Sequence, residues 1–287
     1  MARVLALSSA GGSVVLGEKS GTKAGLNVRG TGMPGVELQW FEGAGEGKTF
    51  QGGRALGRTV DMPIKFYGKN REEVQEKYSE VGRIMLVENA PVLVTLELDG
   101  EAWRTEMVRT GGGDFSYGTD TDGSTYLKTV FTMESGSPYW TRVDSEARVI
   151  TPGGLGIPLI GPGQSLVQLR LSNTEGSGAV EFTNTGDVSA WPVWRFLPPF
   201  QDFLIARDGL VLGFRYGVVK NTGWIEVDSK AGTVVSESGT NQYHRLQPAP
   251  KFFSIPRGTT SGQVVLTGAT ADTRVEVVWH PRKVVLF

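Results

Sequence analysis

Few residues in this sequence could carry out catalysis. The chain has 287 residues, no cysteine and two histidines, His244 and His280. Thiol catalysis, a disulfide framework and a cysteine-ligated zinc site are therefore excluded. Neither histidine lies in a metalloprotease motif, and the sequence contains no Gly-x-Ser-x-Gly elbow. A serine–histidine–aspartate site built only in space stays open, but the sequence favours one histidine in a loop and the other at a strand end.

A glycine-rich stretch at 43–49, Gly-Ala-Gly-Glu-Gly-Lys-Thr, ends like a phosphate-binding loop. That loop needs Gly-x4-Gly-Lys-Ser/Thr before a helix, so that backbone N–H groups surround the phosphates. Here Glu42 occupies the position of the first glycine, and Phe-Gln-Gly-Gly at 50–53 does not begin a helix. We therefore interpret the stretch as a flexible turn.

The 30 acidic residues could include a pair that hydrolyses a glycosidic bond. No pair is marked by its spacing, and many aspartates lie beside turns, where the carboxylate accepts hydrogen bonds from the local backbone. These are Asp99, Asp120, Asp122, Asp187, Asp208 and Asp228. The sequence thus predicts structural carboxylates, no enzyme activity, no metal site and no cofactor.

Charge and composition narrow the class of protein further. There are 29 Lys and Arg residues against 30 Asp and Glu residues, which gives no basic surface for specific nucleic-acid binding. No apolar run approaches the ~18 residues of a membrane span, and the apolar stretch after Met1 is shorter than the ~7–15 residues of a signal peptide core. The 40 glycines and 14 prolines, without a Gly-x-y period, indicate a mainly β chain with short strands and tight turns.

Residues 1–150 are predicted to form a β domain with one helix. A period of two at 58–66 indicates a half-buried strand whose inner face carries Val60, Met62, Ile64 and Phe66. The predicted helix spans 70–87 and begins at the N-cap Asn70, with Glu73 completing a capping box. One helix face carries an apolar stripe, which indicates packing on a sheet; it consists of Val74, Tyr78, Val81 and Met85.

A long hairpin is predicted at 92–108. Asp99 and Gly100 are the preferred pair for a two-residue turn, and this turn places Leu98 opposite Glu101 and Leu96 opposite Trp103. The three glycines at 111–113 are predicted to form a loop. A further half-buried strand then carries Leu127, Thr129, Phe131 and Met133 on one face.

The second half of the chain is predicted to be a separate all-β domain. Residues 151–165 are rich in Gly and Pro and form the predicted linker, and short strands separated by turn signals recur over 166–287. This spacing is typical of a β-sandwich or jelly roll. Trp191 and Trp194 could belong to a sugar-stacking platform, but the interpretation as core residues is favoured because large aromatic side chains dominate cores.

Several segments together resemble a known family. The stretch at 47–68, the single helix, the Asp-Gly hairpin and Glu-Ser-Gly-Ser-Pro-Tyr-Trp at 134–140 are similar to distal tail (minor tail) proteins of long-tailed, non-contractile phages, particularly those of actinobacterial hosts. The segments at 184–196, 223–228 and 277–282 resemble parts of that family's C-terminal sandwich. The resemblance covers most of the chain and is weakest over the first forty residues.

The resemblance implies a structural virion protein at the phage tail tip, made in the host cytoplasm. It implies an N-terminal domain of which six copies close into a ring, and a C-terminal galectin-like β-sandwich. The expected partners are the tail tube protein, the tape-measure protein and tail-tip or hub proteins, and the sandwich could contact a host surface glycan. The resemblance also implies that no cofactor is needed.

The hairpin at 92–108 is the predicted ring interface, because its second face is mixed polar and suits contact with a neighbouring subunit. The candidate residues are Leu93, Thr95, Glu97, Asp99, Gly100, Arg104 and Glu106. Two other functions stay open at this point. One is a carbohydrate-binding adhesion module that uses Trp191 and Trp194, and the other is a β-sandwich glycosidase or lyase.

Overall fold

The computed structural model describes residues 3–17, 19–25, 27–151 and 175–286. The chain divides into two compact units, one formed by residues 1–144 with 282–287 and the other by residues 145–281. Both are built mainly from β-strands. The predicted linker at 151–165 lies outside the described residues, apart from Thr151. Residues 282–287, predicted from the sequence to belong to the second domain, group with the first unit.

The elements follow in chain order. The first unit contains β1 (Arg3–Ser9), β2 (Gly12–Val15), β3 (Thr22–Ala24), β4 (Val36–Glu42), β5 (Lys48–Ala55), β6 (Arg58–Tyr67), α1 (Arg71–Ile84), β7 (Val92–Leu98), β8 (Glu101–Gly112), β9 (Tyr126–Ser135) and β10 (Trp140–Arg142). The second unit contains β11 (Glu146–Ile150), β12 (Glu175–Asn184), β13 (Val193–Leu197), β14 (Phe200–Arg207), β15 (Leu210–Lys220), β16 (Ile225–Asp228), β17 (Thr233–Ser236), β18 (Gly258–Thr267) and β19 (Arg274–Trp279), and β20 (Arg282–Lys283) returns to the first.

The main sheet of the first unit has the strand order β2-β1-β7-β8-β9-β6-β3, and β10 pairs with both β8 and β20. The predicted hairpin register is confirmed, since Leu98 pairs with Glu101 and Leu96 with Trp103. The loop predicted at 111–113 is wrong for its first two residues, because β8 continues to Gly112 and pairs with β9. A register shift after Arg109 accommodates this extension.

One face of this sheet forms a core with α1. The predicted inward faces of β6 and β9 are confirmed, with Val60, Met62, Ile64 and Phe66 all at most 1% exposed. Val81 and Met85 of the helix stripe are equally buried, and Tyr78 packs against the same core. The helix therefore packs its apolar stripe against the apolar face of the sheet and covers that face.

The start of α1 is confirmed, and its end is not. The side chain of Asn70 accepts a hydrogen bond from the N–H of Glu73 at 2.9 Å. The Glu73 carboxylate accepts the N–H of Lys69 at 2.8 Å, and this bond, followed by the bond from Lys77, holds the pKa of Glu73 below its usual value. The helix ends at Ile84 rather than at 87. The Ser9 hydroxyl donates a hydrogen bond to the Ile84 carbonyl at 2.8 Å and so satisfies one of the carbonyls that a helix end leaves without a partner in the helix.

The second unit is the predicted β-sandwich. One sheet has the order β11-β19-β13-β16-β17 and the other β12-β18-β14-β15. Side chains from both sheets form one core, in which the Phe203 ring stacks on Phe196 at 3.6 Å and on Phe214 at 4.7 Å between centroids. Phe203 thus joins β14 to strands of both sheets, as a layered core requires.

A buried arginine holds residues 282–286 on the first unit. Arg58 is 3% exposed, and its guanidinium donates to the carbonyls of Gly30, Pro138 and Val284. It also lies over the ring of Trp140 at 5.2 Å. Burial lowers the pKa of Arg58 to about 10, so the group stays cationic at neutral pH and is stabilised by carbonyl dipoles.

No helix of the described residues is long and apolar enough to cross a membrane.

Candidate assembly surface

Strands β4 and β5 form a two-stranded sheet of their own, apart from the main sheet. Residues 43–47 are the turn between them, and no helix follows. The interpretation of the glycine-rich stretch as a turn is therefore confirmed. Because the backbone runs straight into β5, its N–H groups cannot surround a phosphate in the way that a phosphate-binding loop does.

The side chains of this hairpin are apolar and exposed. Every residue of β4 is exposed, and the largest side chains show more than half of their surface: Trp40 52%, Phe41 59% and Phe50 55%. Val36 and Leu38 add further apolar surface at 63% and 47%. None of them belongs to the core clusters among the described residues. We call this surface the exposed hairpin, residues 36–55.

Cross-strand pairs hold the exposed hairpin in one register. The Trp40 and Phe50 rings meet edge to face with centroids 5.5 Å apart. The Arg54 guanidinium binds the Glu37 carboxylate at 2.6 Å, and Lys48 pairs with Glu42 beside the turn. A bulge after Gln39 shifts the register, and Gly52 opposite it has a φ of +137°. Glycine adopts this backbone conformation without the strain that a side chain adds.

An isolated two-stranded hairpin is only marginally stable in water. Here the two strands bury little of their apolar surface against each other and none in either core of the described residues. Contiguous exposed apolar surface of this kind marks a protein interaction site. The hairpin is thus chemically suited to a partner that covers it.

The predicted interface residues lie elsewhere in the first unit. Leu93, Thr95, Glu97 and Arg104 are half-buried, Glu106 is exposed, and Asp99 and Gly100 form the exposed turn. Both strands of this hairpin are paired on each side, since β7 pairs with β1 and β8, and β8 pairs with β7 and β9. What the residues offer is one polar face of a central strand pair, without a free edge.

This surface was missed at the sequence level although one signal was present. Five large apolar residues lie within 36–50, on either side of the turn at 43–47, which consists of three glycines, an alanine and a glutamate. Alternation alone does not say whether a second layer covers a strand, so the same pattern fits a core strand and an exposed one.

The two tryptophans proposed for a sugar platform do not lie together on the surface. Trp194 is 1% exposed and packs edge to face on Phe182 at 5.6 Å. Trp191 is half-buried. The interpretation as core is confirmed for Trp194, and also for the neighbouring rings of Phe196, Phe200 and Phe203. A buried ring cannot stack on a sugar, so the platform loses one of its two members.

The remaining candidate residues are a turn aspartate and the two histidines. The Asp122 carboxylate accepts the Thr125 hydroxyl and the N–H groups of Ser124 and Thr125, and these bonds hold its pKa below the usual range. His244 is exposed within a short 3-10 helix, Tyr243–Arg245, where the sequence predicted a loop, and His280 follows β19. Among the described residues, no group of three or more His, Asp or Glu side chains could hold a metal ion.

No protein-family model matches the sequence, and no curated protein sequence matches it either. Solved phage structures share its fold. The Dit protein (gp 19.1) of phage SPP1, described as a paradigm of the hub adsorption apparatus in phages that infect Gram-positive bacteria, is 13% identical with a TM-score of 0.67. That match covers 98% of this chain and 99% of the other.

Two structures of the phage P2 baseplate in its activated conformation also match. The structure with Ca is 9% identical with a TM-score of 0.55, and the structure with Sr is 10% identical with a TM-score of 0.53. Each match covers 98% of both chains. At these identities the likeness establishes a common fold over the length of the chain.

Proposed function

We propose that this protein is a structural component of a phage tail tip, a distal tail protein that assembles into a hub ring. The observation that carries the proposal is the shared fold with the SPP1 hub protein over 98% of this chain and 99% of that one. A match of both units in one chain is more specific than a match of a single β-sandwich, because sandwiches host many unrelated functions.

The exposed hairpin supports assembly from many copies. A side chain such as Trp40 or Phe50 on the surface of a lone protein favours association, and aromatic side chains are the residues that contribute most to protein interfaces. We infer that each exposed hairpin packs against the first unit of a neighbouring copy. In a closed ring every copy gives one such contact and receives one, so no hairpin is left uncovered.

The ring number of six, the actinobacterial-host branch and the named neighbours belong to this proposal through the sequence resemblance. In the proposed assembly, the ring joins the tail tube protein and the tape-measure protein to the tail-tip proteins. The second candidate contact is the polar face and turn of the hairpin at 92–108, with Leu93, Thr95, Glu97, Asp99, Gly100, Arg104 and Glu106. The carbohydrate-binding alternative now rests on Trp191 alone, since Trp194 is buried.

Electron microscopy of the purified protein tests the proposal. We expect rings with a central hole, and a sedimentation mass that is a small whole multiple of 31.0 kDa. A monomer at every concentration, both alone and after mixing with a tail-tube protein, would contradict the proposed ring. Glycan binding by that monomer, lost on Trp191→Ala with the fold intact, would favour the adhesion module instead.

A further inference from the structure

The second unit carries a surface hollow of about 470 Å³ with an unusual lining. Six of the described residues line it; three of these are basic, namely Arg215, His244 and Arg245, and none of the six is acidic. The other three are Leu246, Gln247 and Pro248. Basic side chains that share a hollow repel one another unless a negative charge lies between them.

The hollow is built where a loop is fixed to β15. Phe214 and Leu246 form a β-bridge, and the N–H of Gln247 donates to the Gly213 carbonyl at 2.8 Å. The Gln247 side chain lies directly over Gly213, where an added Cβ would stand 2.4 Å from its Cδ. A glycine in a strand interior marks such a close approach. The two walls are therefore held together by contacts within the second unit.

Arg245 is held in one orientation. Its Nε donates to the Gln242 side chain at 2.9 Å and its Nη1 to the Tyr216 carbonyl at 3.0 Å. Its guanidinium also lies 4.2 Å from the centroid of the Tyr216 ring. These contacts fix the group without neutralising it, and its Nη2 donates to no protein acceptor among the described residues. An arginine that is positioned in this way loses little entropy when it binds an anion.

Arg215 completes the arrangement from the strand side. Its side chain is exposed and, within the described part of the chain, makes no hydrogen bond and no ion pair, while its backbone pairs with Asp202 of β14. Together the hollow offers one fixed guanidinium, one free guanidinium and one imidazole. Both guanidinium groups belong to residues that line the same hollow, and a guanidinium forms strong, charge-assisted hydrogen bonds with phosphate and other oxyanions.

We propose that this hollow is a phosphate-binding site, with Arg245 as the fixed donor, Arg215 as the donor that closes on the ligand and His244 as a third contact. The site takes a phosphate group either as the free ion or as part of a larger molecule. It lies within the second unit and does not depend on ring assembly.

Proton NMR at neutral pH tests the site, because the chain has only two histidines. Inorganic phosphate is added while sodium chloride is removed, so that the ionic strength stays constant. We expect the ring protons of His244 to shift and saturate, while those of His280 stay in place. Arg215→Gln should weaken the response at least tenfold, since a charged hydrogen bond is lost. Arg257→Gln, which removes an exposed arginine outside the hollow, should leave it unchanged.

Dimethyl phosphate, which carries the single charge of a phosphodiester, distinguishes the two sources of the ligand. A shift with both compounds assigns the site to a phosphate group within a larger molecule, and a shift with inorganic phosphate alone assigns it to the free ion. Equal shifts of His244 and His280, no shift at all, or equal responses of Arg215→Gln and the wild type would overturn the proposal.

Discussion

Two of the β-hairpins in the first unit have similar residue types and opposite surroundings. In the hairpin of β7 and β8, Leu96 and Trp103 are at most 1% exposed, and strands flank it on both sides. In the exposed hairpin, Trp40 and Phe50 are more than half exposed, and among the described residues β4 and β5 pair only with each other. The pattern of apolar residues makes a strand in both cases. Whether the apolar side chains of such a strand contribute to folding or to association depends on whether the same chain or another surface covers them.

This difference predicts a separation of energies. Full burial of one large apolar side chain contributes about 1.5–3 kcal/mol to folding. The central hairpin buries its large apolar side chains within the chain, so this free energy stabilises the fold. The exposed hairpin leaves its large apolar side chains accessible, so the corresponding free energy is gained only when a partner buries them. Substitutions in the two hairpins should therefore affect two different measurements, the free energy of unfolding and the dissociation constant of assembly.

The largest effect is expected at the buried tryptophan. Trp103→Ala should lower the free energy of unfolding of the first unit by about 3–5 kcal/mol, because it leaves a cavity in the core. Trp40→Ala should lower it by less than about 0.5 kcal/mol, as for other surface positions. Urea unfolding followed by circular dichroism measures both. Equal losses would mean that Trp40 is buried within the monomer and that the comparison fails.

The second effect concerns association. Replacing both Trp40 and Phe50 by alanine should weaken self-association by about 2 kcal/mol, or roughly 30-fold, as loss of a central aromatic pair does at interfaces. Sedimentation equilibrium gives the constant. Tyr117→Ala is the matched control, since Tyr117 is 67% exposed in the same unit but outside the hairpin. An unchanged constant in the double variant would remove the exposed hairpin from the interface.

The third effect separates the two turns. Asp99 and Gly100 have φ values of 53° and 82°, so Gly100→Val should cost about 1–3 kcal/mol in backbone strain. Gly45→Val in the other turn should cost almost nothing, because no atom lies within 4 Å of its added Cβ. Thermal unfolding compares them. At temperatures at which the Gly100→Val variant is folded, we expect it to associate like the wild type. A loss of association in the folded variant would assign the interface to the polar face around Leu93 and Arg104.

The smallest effect contrasts an exposed ion pair with a buried hydroxyl pair. The Thr105 and Ser135 hydroxyls are buried and lie 3.1 Å apart, so Thr105→Val should cost about 1 kcal/mol. Glu37→Gln removes the pair with Arg54, whose side chain is 76% exposed, and should cost less than about 0.5 kcal/mol because solvent screens the charges. Urea midpoints of the two variants are compared. A larger loss for Glu37→Gln would show that its ion pair is shielded from water.

Features set by neighbouring residues could be predicted from the sequence. The register around Asp99-Gly100 follows from a two-residue turn, and the helix start follows from the bond between Asn70 and Glu73, three residues apart. The inward faces of β6 and β9 follow from their period of two.

Features set by distant residues could not be predicted. Nothing in 36–55 shows that no layer covers Trp40, and nothing near Arg58 shows that Val284 will accept its hydrogen bond. The basic hollow likewise depends on a bridge between Phe214 and Leu246, which are far apart in the chain. Long-range pairings of this kind carry no local period.

The return of residues 282–286 to the first unit has a consequence during translation. β20 pairs with β10, and Leu286 is buried in the first core, yet both are synthesised after every strand of the second unit. A nascent chain therefore holds Arg58 without its acceptor at Val284 until the ribosome has passed the second unit. Chains that terminate early lack this closure, so the first unit reaches its complete packing only in molecules that already carry the second.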